Sequence, residues 1–202
     1  FIALGAPSTI SLASFKPKPV ISFTNFTTAN FDAPADLDAF PEYKDKIAKS
    51  GGTPTYTRPC CTGELSNKNN DDLLKDINNL SSALSANNHT KGFMNAASPG
   101  VINVFLPNKF YKNDDEYLSK LSVIMAEEYQ QITSNNLFLQ VDCPDLALAR
   151  HMNFKELDEK SFLLRAEKQI EALNLSLASV PQDKIRMHIC WGNYEGPHTF
   201  DI

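Results

Sequence analysis

The sequence predicts an α/β fold, with parallel strands joined by crossover helices, as part of a (β/α)8 TIM barrel. Two observations predict it. Short apolar and β-branched runs alternate with longer segments whose apolar residues recur every three to four positions, the periods of a buried strand and an amphipathic helix. In addition, strand candidates end in turn formers or chemically useful groups: Ser98-Pro99-Gly100, Asp142-Cys143-Pro144 and His188-Ile189-Cys190-Trp191-Gly192. In a parallel sheet those ends share one rim, where barrel proteins assemble their sites.

Composition bounds the rest. At 202 residues, 42% hydrophobic and 21% charged, the chain is expected to form a single domain, 1–202, with a sizeable core. The net charge of −5, with no run of Lys or Arg, offers no footprint for nucleic acid or an anionic membrane. Apolar runs fall short of a membrane span, and Phe1-Ile2-Ala3-Leu4-Gly5 lacks the charged start of a signal peptide. A small-molecule partner is therefore expected, with no nucleic acid and no membrane. Cys60, Cys61, Cys143 and Cys190 make no small secreted framework in a chain of this size. Asn-x-Ser/Thr triplets at Asn25, Asn79, Asn88 and Asn174 are common by chance in an Asn-rich sequence. Reduced thiols and a cytoplasmic location are expected. The absence of an initiator Met leads to the expectation that residues upstream are missing.

Residues 1–52 are rich in Pro, Thr, Ser and Phe without period and read as an irregular lead-in, holding a short strand at Val20-Ile21-Ser22-Phe23 and a turn of helix opening at Pro41. Thr53 to Thr57 reads as a strand ending at Arg58-Pro59-Cys60-Cys61. A helix follows, capped by Asn70, with Asp71 and Asp72 at its positive end and Leu73, Leu74, Ile77, Leu80 and Leu84 on one face. Lys91 to Ala96 is the next short strand, closed by Ser98-Pro99-Gly100. Asn113 or Asp114 caps a long helix with Tyr117, Leu118, Leu121, Ile124, Met125 and Ile132 on a stripe broken by Glu128. Leu137 to Val141 is a buried strand stopped by Pro144. A third helix spans about Asp158 to Leu177, with Phe162, Leu163, Ala166, Ile170, Leu173 and Leu177 facing in and Pro181 at its exit. Ile185, Met187 and Ile189 alternate along the last strand. About four strong strands and one weak one are visible where a closed barrel needs eight, so an interior piece of a barrel is expected.

The last strand carries the most specific chemistry. His188 and Cys190 fall on one face, with Cα atoms about 6.5 Å apart, a span that an imidazole and a thiolate can close onto one zinc. Taken alone, the spacing reads more readily as a core histidine beside a buried cysteine. Asp142 ends its strand on the same rim, as a turn carboxylate or as a partner for an ammonium group. Cys60 and Cys61 read as packed small residues. Glu195, His198 and Asp201 are acid or base candidates by position only, and solvated loop residues is an equal reading.

His188-Ile189-Cys190-Trp191-Gly192-Asn193-Tyr194-Glu195-Gly196-Pro197-His198 resembles the zinc-bearing segment of the cobalamin-independent methionine synthase family, in its single-barrel bacterial-type members. Ala96-Ala97-Ser98-Pro99-Gly100-Val101-Ile102 and Leu139-Gln140-Val141-Asp142-Cys143-Pro144-Asp145-Leu146-Ala147 match the same family in the same order. The resemblance implies a zinc cofactor on His188 and Cys190, completed by a Glu and a Cys further along. It implies methyl transfer from 5-methyltetrahydrofolate to the thiol of homocysteine, with Asp142, Ser98 and Gly100 at the substrate and Glu195 and His198 as catalytic candidates. Where the family places an acid beyond the Asp142 motif, this chain has Leu148 and Arg150 nearby, a departure that touches the folate contacts. Three further readings compete: a related zinc thiol alkyltransferase of the coenzyme M type, a catalytically incomplete barrel fragment, and, more weakly, a metal-free decarboxylase on the same barrel, which has no need of Cys190.

Overall fold

The computed structural model describes residues 21–22, 28–30, 39–49, 57–67 and 70–191. Its centre is a three-stranded parallel sheet of β5 (Phe93–Ala97), β6 (Phe138–Asp142) and β7 (Ile185–His188), in chain order. The register is continuous: Ala97 pairs with Asp142 and Asp142 with His188, so the three strand ends lie side by side. This mixed α/β arrangement, parallel strands with crossover helices, is consistent with part of a TIM barrel.

Helices connect the strands. Between β5 and β6 run α3 (Pro99–Phe105) and α4 (Asp114–Ser134), and between β6 and β7 run α5 (Leu148–Met152) and α6 (Glu159–Leu177). Earlier in the chain lie α1 (Pro41–Lys49) and α2 (Asp71–Ala86). The caps are those of good helices: Asn113 accepts from Glu116 N at 2.9 Å, and Asp158 from Ser161 N at 2.7 Å. Asn70 stands at the N-cap of α2 as expected but makes no capping bond; its side chain instead accepts from Asn67 at 3.5 Å. At the end of α4, Asn136 takes a left-handed φ of 60°, which an Asn tolerates and which turns the chain into β6.

One face of the sheet makes the core. Leu139 and Val141 of β6 are buried with Leu121, Tyr129 and Ile132 of α4 and Leu173 of α6. Each such aliphatic side chain contributes about 1.5–3 kcal/mol by leaving water. The buried tyrosines keep their hydroxyls satisfied: Tyr129 donates to Ala97 O at 2.6 Å and Tyr117 to Leu106 O at 3.0 Å. The opposite face of the sheet is polar, with Asn95, Gln140 and Arg186 in one register row and Asp142 and His188 in the next. Arg186 lies over the Phe93 ring at 3.4 Å, a cation–π contact.

Two expectations are corrected, those for Cys60 and Cys61 and for the face of α6. The strand expected at Thr53–Thr57 lies, up to residue 56, outside the described residues; β3 (Thr57–Pro59) follows it, paired antiparallel with β2 (Thr28–Asn30) and outside the parallel sheet. Among the described residues this ribbon has two strands, and Pro59 is tolerated at such an edge position. Cys60 and Cys61 consequently do not end a strand of the parallel sheet. Cys61 exchanges backbone hydrogen bonds with Pro107 O and Lys109 N, on the link between α3 and α4. Ser98-Pro99-Gly100 closes β5 as expected and in the same step opens helix α3, with Ser98 as N-cap and Pro99 at the first helical position. The buried stripe of α6 is rotated: Leu163 and Ile170 are 41% and 40% exposed, while Gln169, Ala172 and Ser176 are buried. Two neighbours set that rotation. The Ser122 hydroxyl of α4 shares its proton between Leu118 O of its own helix and Ala172 O, each at 2.8 Å, and Arg165 reaches Asn103 of α3 at 2.6 Å.

The short strand near Val20 is present as β1 (Ile21–Ser22), paired antiparallel with β4 (Ser66–Asn67). No helix of the described residues is long and apolar enough to cross a membrane.

Candidate functional site

The rim is built from three strand ends. β5 stops at Ala97 because Ser98 turns the backbone into α3; its N–H reaches across to Asp142 O at 3.0 Å. β6 stops at Asp142 because Pro144 starts a 3-10 turn, Pro144–Leu146, and Cys143 N donates to His188 O at 2.8 Å. Asp142 is thus flanked by backbone bonds to both neighbouring strands, and His188 is tied to β6. Their ring and carboxylate meet, with His188 Nδ1 3.0 Å from Asp142 Oδ1. Gln140, two residues before Asp142 on the same strand face, brings its amide nitrogen to the same oxygen at 3.5 Å. The pair is partly open to solvent, with side-chain exposures of 47% for His188 and 37% for Asp142.

Cys190 follows two residues beyond His188 as a half-buried free thiol. The other three cysteines are buried. Burial pushes the Cys143 thiol up to about 12, helped by the Asp145 charge, and burial likewise raises Cys61. Neither is suited to act as a thiolate.

Ser98 and Gly100 follow the end of β5, and both are buried. Ser98 is 1% exposed, and its hydroxyl accepts from Val101 N at 2.9 Å while donating to Asp145 Oδ1 at 2.9 Å. Gly100 is buried against Asp145 and Gln169, and a Cβ there would collide with Asp145 Oδ2. Both residues therefore hold the turn that carries Asp142 in place. Asp145 is the residue that sequence reasoning passed over. It is buried, and burial pushes its carboxyl up to about 6 against the opposing pull of the Ser98 hydrogen bond and the Arg165 charge. Gln140 was also missed, although its position on the face of Asp142 follows from strand alternation.

Glu195, His198 and Asp201 lie outside the described residues. Among the described residues, no three His, Cys, Asp or Glu side chains gather closely enough to hold a metal ion. His188 and Cys190 supply one nitrogen and one sulfur donor, a chemistry that fits half of a four-coordinate zinc shell.

The fold and rim define an α/β protein with a carboxylate–imidazole pair where its parallel strands end. The solved structures contain a similar chain: a B12-independent methionine synthase from Shewanella sp. W3-18-1, in complex with selenomethionine, with a TM-score of 0.55 and 14% sequence identity. The match covers 86% of this chain and 40% of that one, so this chain spans well under half of its structural relative. At that identity the likeness is one of fold. No protein-family model matches the sequence, and no curated protein matches it either.

Proposed function

We propose that this chain is part of a zinc-dependent methyltransferase that moves a methyl group from 5-methyltetrahydrofolate, in its polyglutamate form, to the thiol of homocysteine, giving methionine. The observation that carries this reading is the placement of Asp142 beside His188 at adjacent parallel strand ends, with the thiol of Cys190 two residues on. Likeness in fold to a methionine synthase supports it.

His188 and Cys190 would hold the zinc, together with ligands from outside the described residues. When bound, the zinc supplies a deprotonated, still nucleophilic thiol at neutral pH, where a free thiol with a pKa of about 8.5 is mostly protonated. The carboxylate of Asp142 is a partner for the ammonium of an amino-acid thiol. In the transfer the sulfur bonds the methyl carbon, the carbon–nitrogen electrons return to the folate nitrogen, and that nitrogen takes a proton. Glu195 and His198 are proposed as the source of that proton. The proposed partners are small molecules, homocysteine or another thiol and methyl-folate, and the proposed compartment is the cytoplasm, where thiols stay reduced.

A second reading, a zinc thiol alkyltransferase of the coenzyme M type with another donor, is favoured by Leu148 and Arg150. Leu148 is buried and Arg150 lies 3.7 Å from Glu159, so neither offers the acid expected for a folate. The test is transfer of labelled methyl from 5-methyltetrahydrofolate triglutamate by the zinc-loaded chain. Labelled methionine supports the first reading, and transfer to coenzyme M from another donor supports the second. No transfer to any thiol, with no uptake of zinc, overturns both and leaves an incomplete barrel.

A further inference from the structure

We infer that Asp142 is a positioning residue that fixes His188 in its Nδ1–H tautomer and leaves the Nε2 lone pair as the ring's free donor. An ionised carboxylate only accepts hydrogen bonds, so the proton in the 3.0 Å contact between Asp142 Oδ1 and His188 Nδ1 belongs to the ring. A neutral imidazole carries one such proton, and the nitrogen without it is the donor to a metal or another electrophile.

Backbone bonds hold this arrangement in place. Asp142 and His188 are register partners on adjacent parallel strands, and Cys143 N to His188 O at 2.8 Å ties the strands just past them. Ser98 N to Asp142 O at 3.0 Å ties the other side. Gln140 donates toward the same carboxylate oxygen at 3.5 Å, which steadies the carboxylate against rotation. The ring nitrogen that the contact leaves unprotonated belongs to the same residue that the zinc reading makes a ligand. The consequence for metal rests on that reading; the tautomer does not.

The two parts separate experimentally. Nitrogen-15 NMR of the metal-free full chain, followed to the pH at which the His188 signals stop changing, reports which ring nitrogen of His188 is protonated in the neutral ring, the signals being assigned with His188→Gln. A pyrrole-like Nδ1 and pyridine-like Nε2 are expected. Asp142→Ala should shift the population toward the Nε2–H form, and Asp142→Asn, whose amide oxygen still accepts, should retain part of the original state. Wild-type His188 protonated at Nε2 overturns the inference, as does a tautomer unchanged in Asp142→Ala. In the second arm, zinc affinity by chelator competition should fall about ten- to a hundredfold in Asp142→Ala and show no further fall in a His188→Gln background. A further fall of the same size there means that the carboxylate acts on zinc by itself and overturns the positioning role. The expected tautomer with no zinc uptake by the wild type upholds the inference and sinks the zinc reading alone.

Discussion

Ser98 Oγ donates a 2.9 Å hydrogen bond to Oδ1 of Asp145, joining the first turn of α3 to the 3-10 turn after β6. The bond lies in a dry place, and burial holds the Asp145 carboxyl at about 6, well above its unfolded range near 3.9. Because the folded state binds the proton more tightly, this group's contribution to stability is fully present below about pH 4. It is lost as pH rises through about 6. At 1.36 kcal/mol for each tenfold change in proton affinity, the loss is roughly 3 kcal/mol. Asp145→Asn keeps an acceptor for Ser98 but cannot ionise. Urea unfolding between pH 4 and 7 should show wild type losing stability relative to the variant as pH rises; parallel curves would count against this account.

Gly100 has no room for a side chain. A methyl group there collides with Asp145 Oδ2 and comes within 3.0 Å of Gln169 Cβ. Gly100→Ala should therefore cost about 1–3 kcal/mol, the usual penalty for overpacking. Combining it with Asp145→Ala should recover part of that loss, because the obstructing carboxylate is gone. Equal and additive losses in the double variant, read from urea midpoints, would show that the clash is not with Asp145.

Arg165 joins three helices. From α6 its guanidinium lies 2.6 Å from Asn103 Oδ1 of α3 and 3.2 Å from Asp114 Oδ2 of α4, and sits 4.1 Å over the Phe154 ring. A lysine ammonium supplies charge without the planar fork. Arg165→Lys should lower stability by about 1–2 kcal/mol, within the range for hydrogen bonds to charged groups. Unchanged thermal unfolding would mean that Arg165 has no part in setting the rotated stripe of α6.

Thiol reactivity should single out Cys190. Cys60, Cys61 and Cys143 are buried, and Cys61 and Cys143 have raised pKa values, whereas Cys190 is half-exposed. Titration of the native chain with an aromatic disulfide at pH 8 should give one fast-reacting thiol, absent in Cys190→Ser, and four after denaturation. A second fast thiol that survives in the variant would place another cysteine at the surface.

The local elements around the sheet follow from residue pattern alone. Leu137 to Val141 had to be a buried strand because its apolar run is short and β-favouring, and Asn113 and Asp158 had to start helices because their side chains replace missing backbone partners. Strand-helix alternation determined the parallel order of β5, β6 and β7. Side-chain alternation likewise put Gln140 and Asp142 on one face of β6. Tertiary structure decided what periodicity does not encode. Thr57–Pro59 left the parallel sheet because Thr28–Asn30, far off in sequence, offered it a partner. Ser98 and Gly100 are buried because Asp145, 47 residues beyond Ser98, folds back onto them. The face of α6 turned because Ser122 and Asn103 bind it from other helices. His188 found Asp142 only through register, since residues 46 apart meet when two parallel strands align and not before.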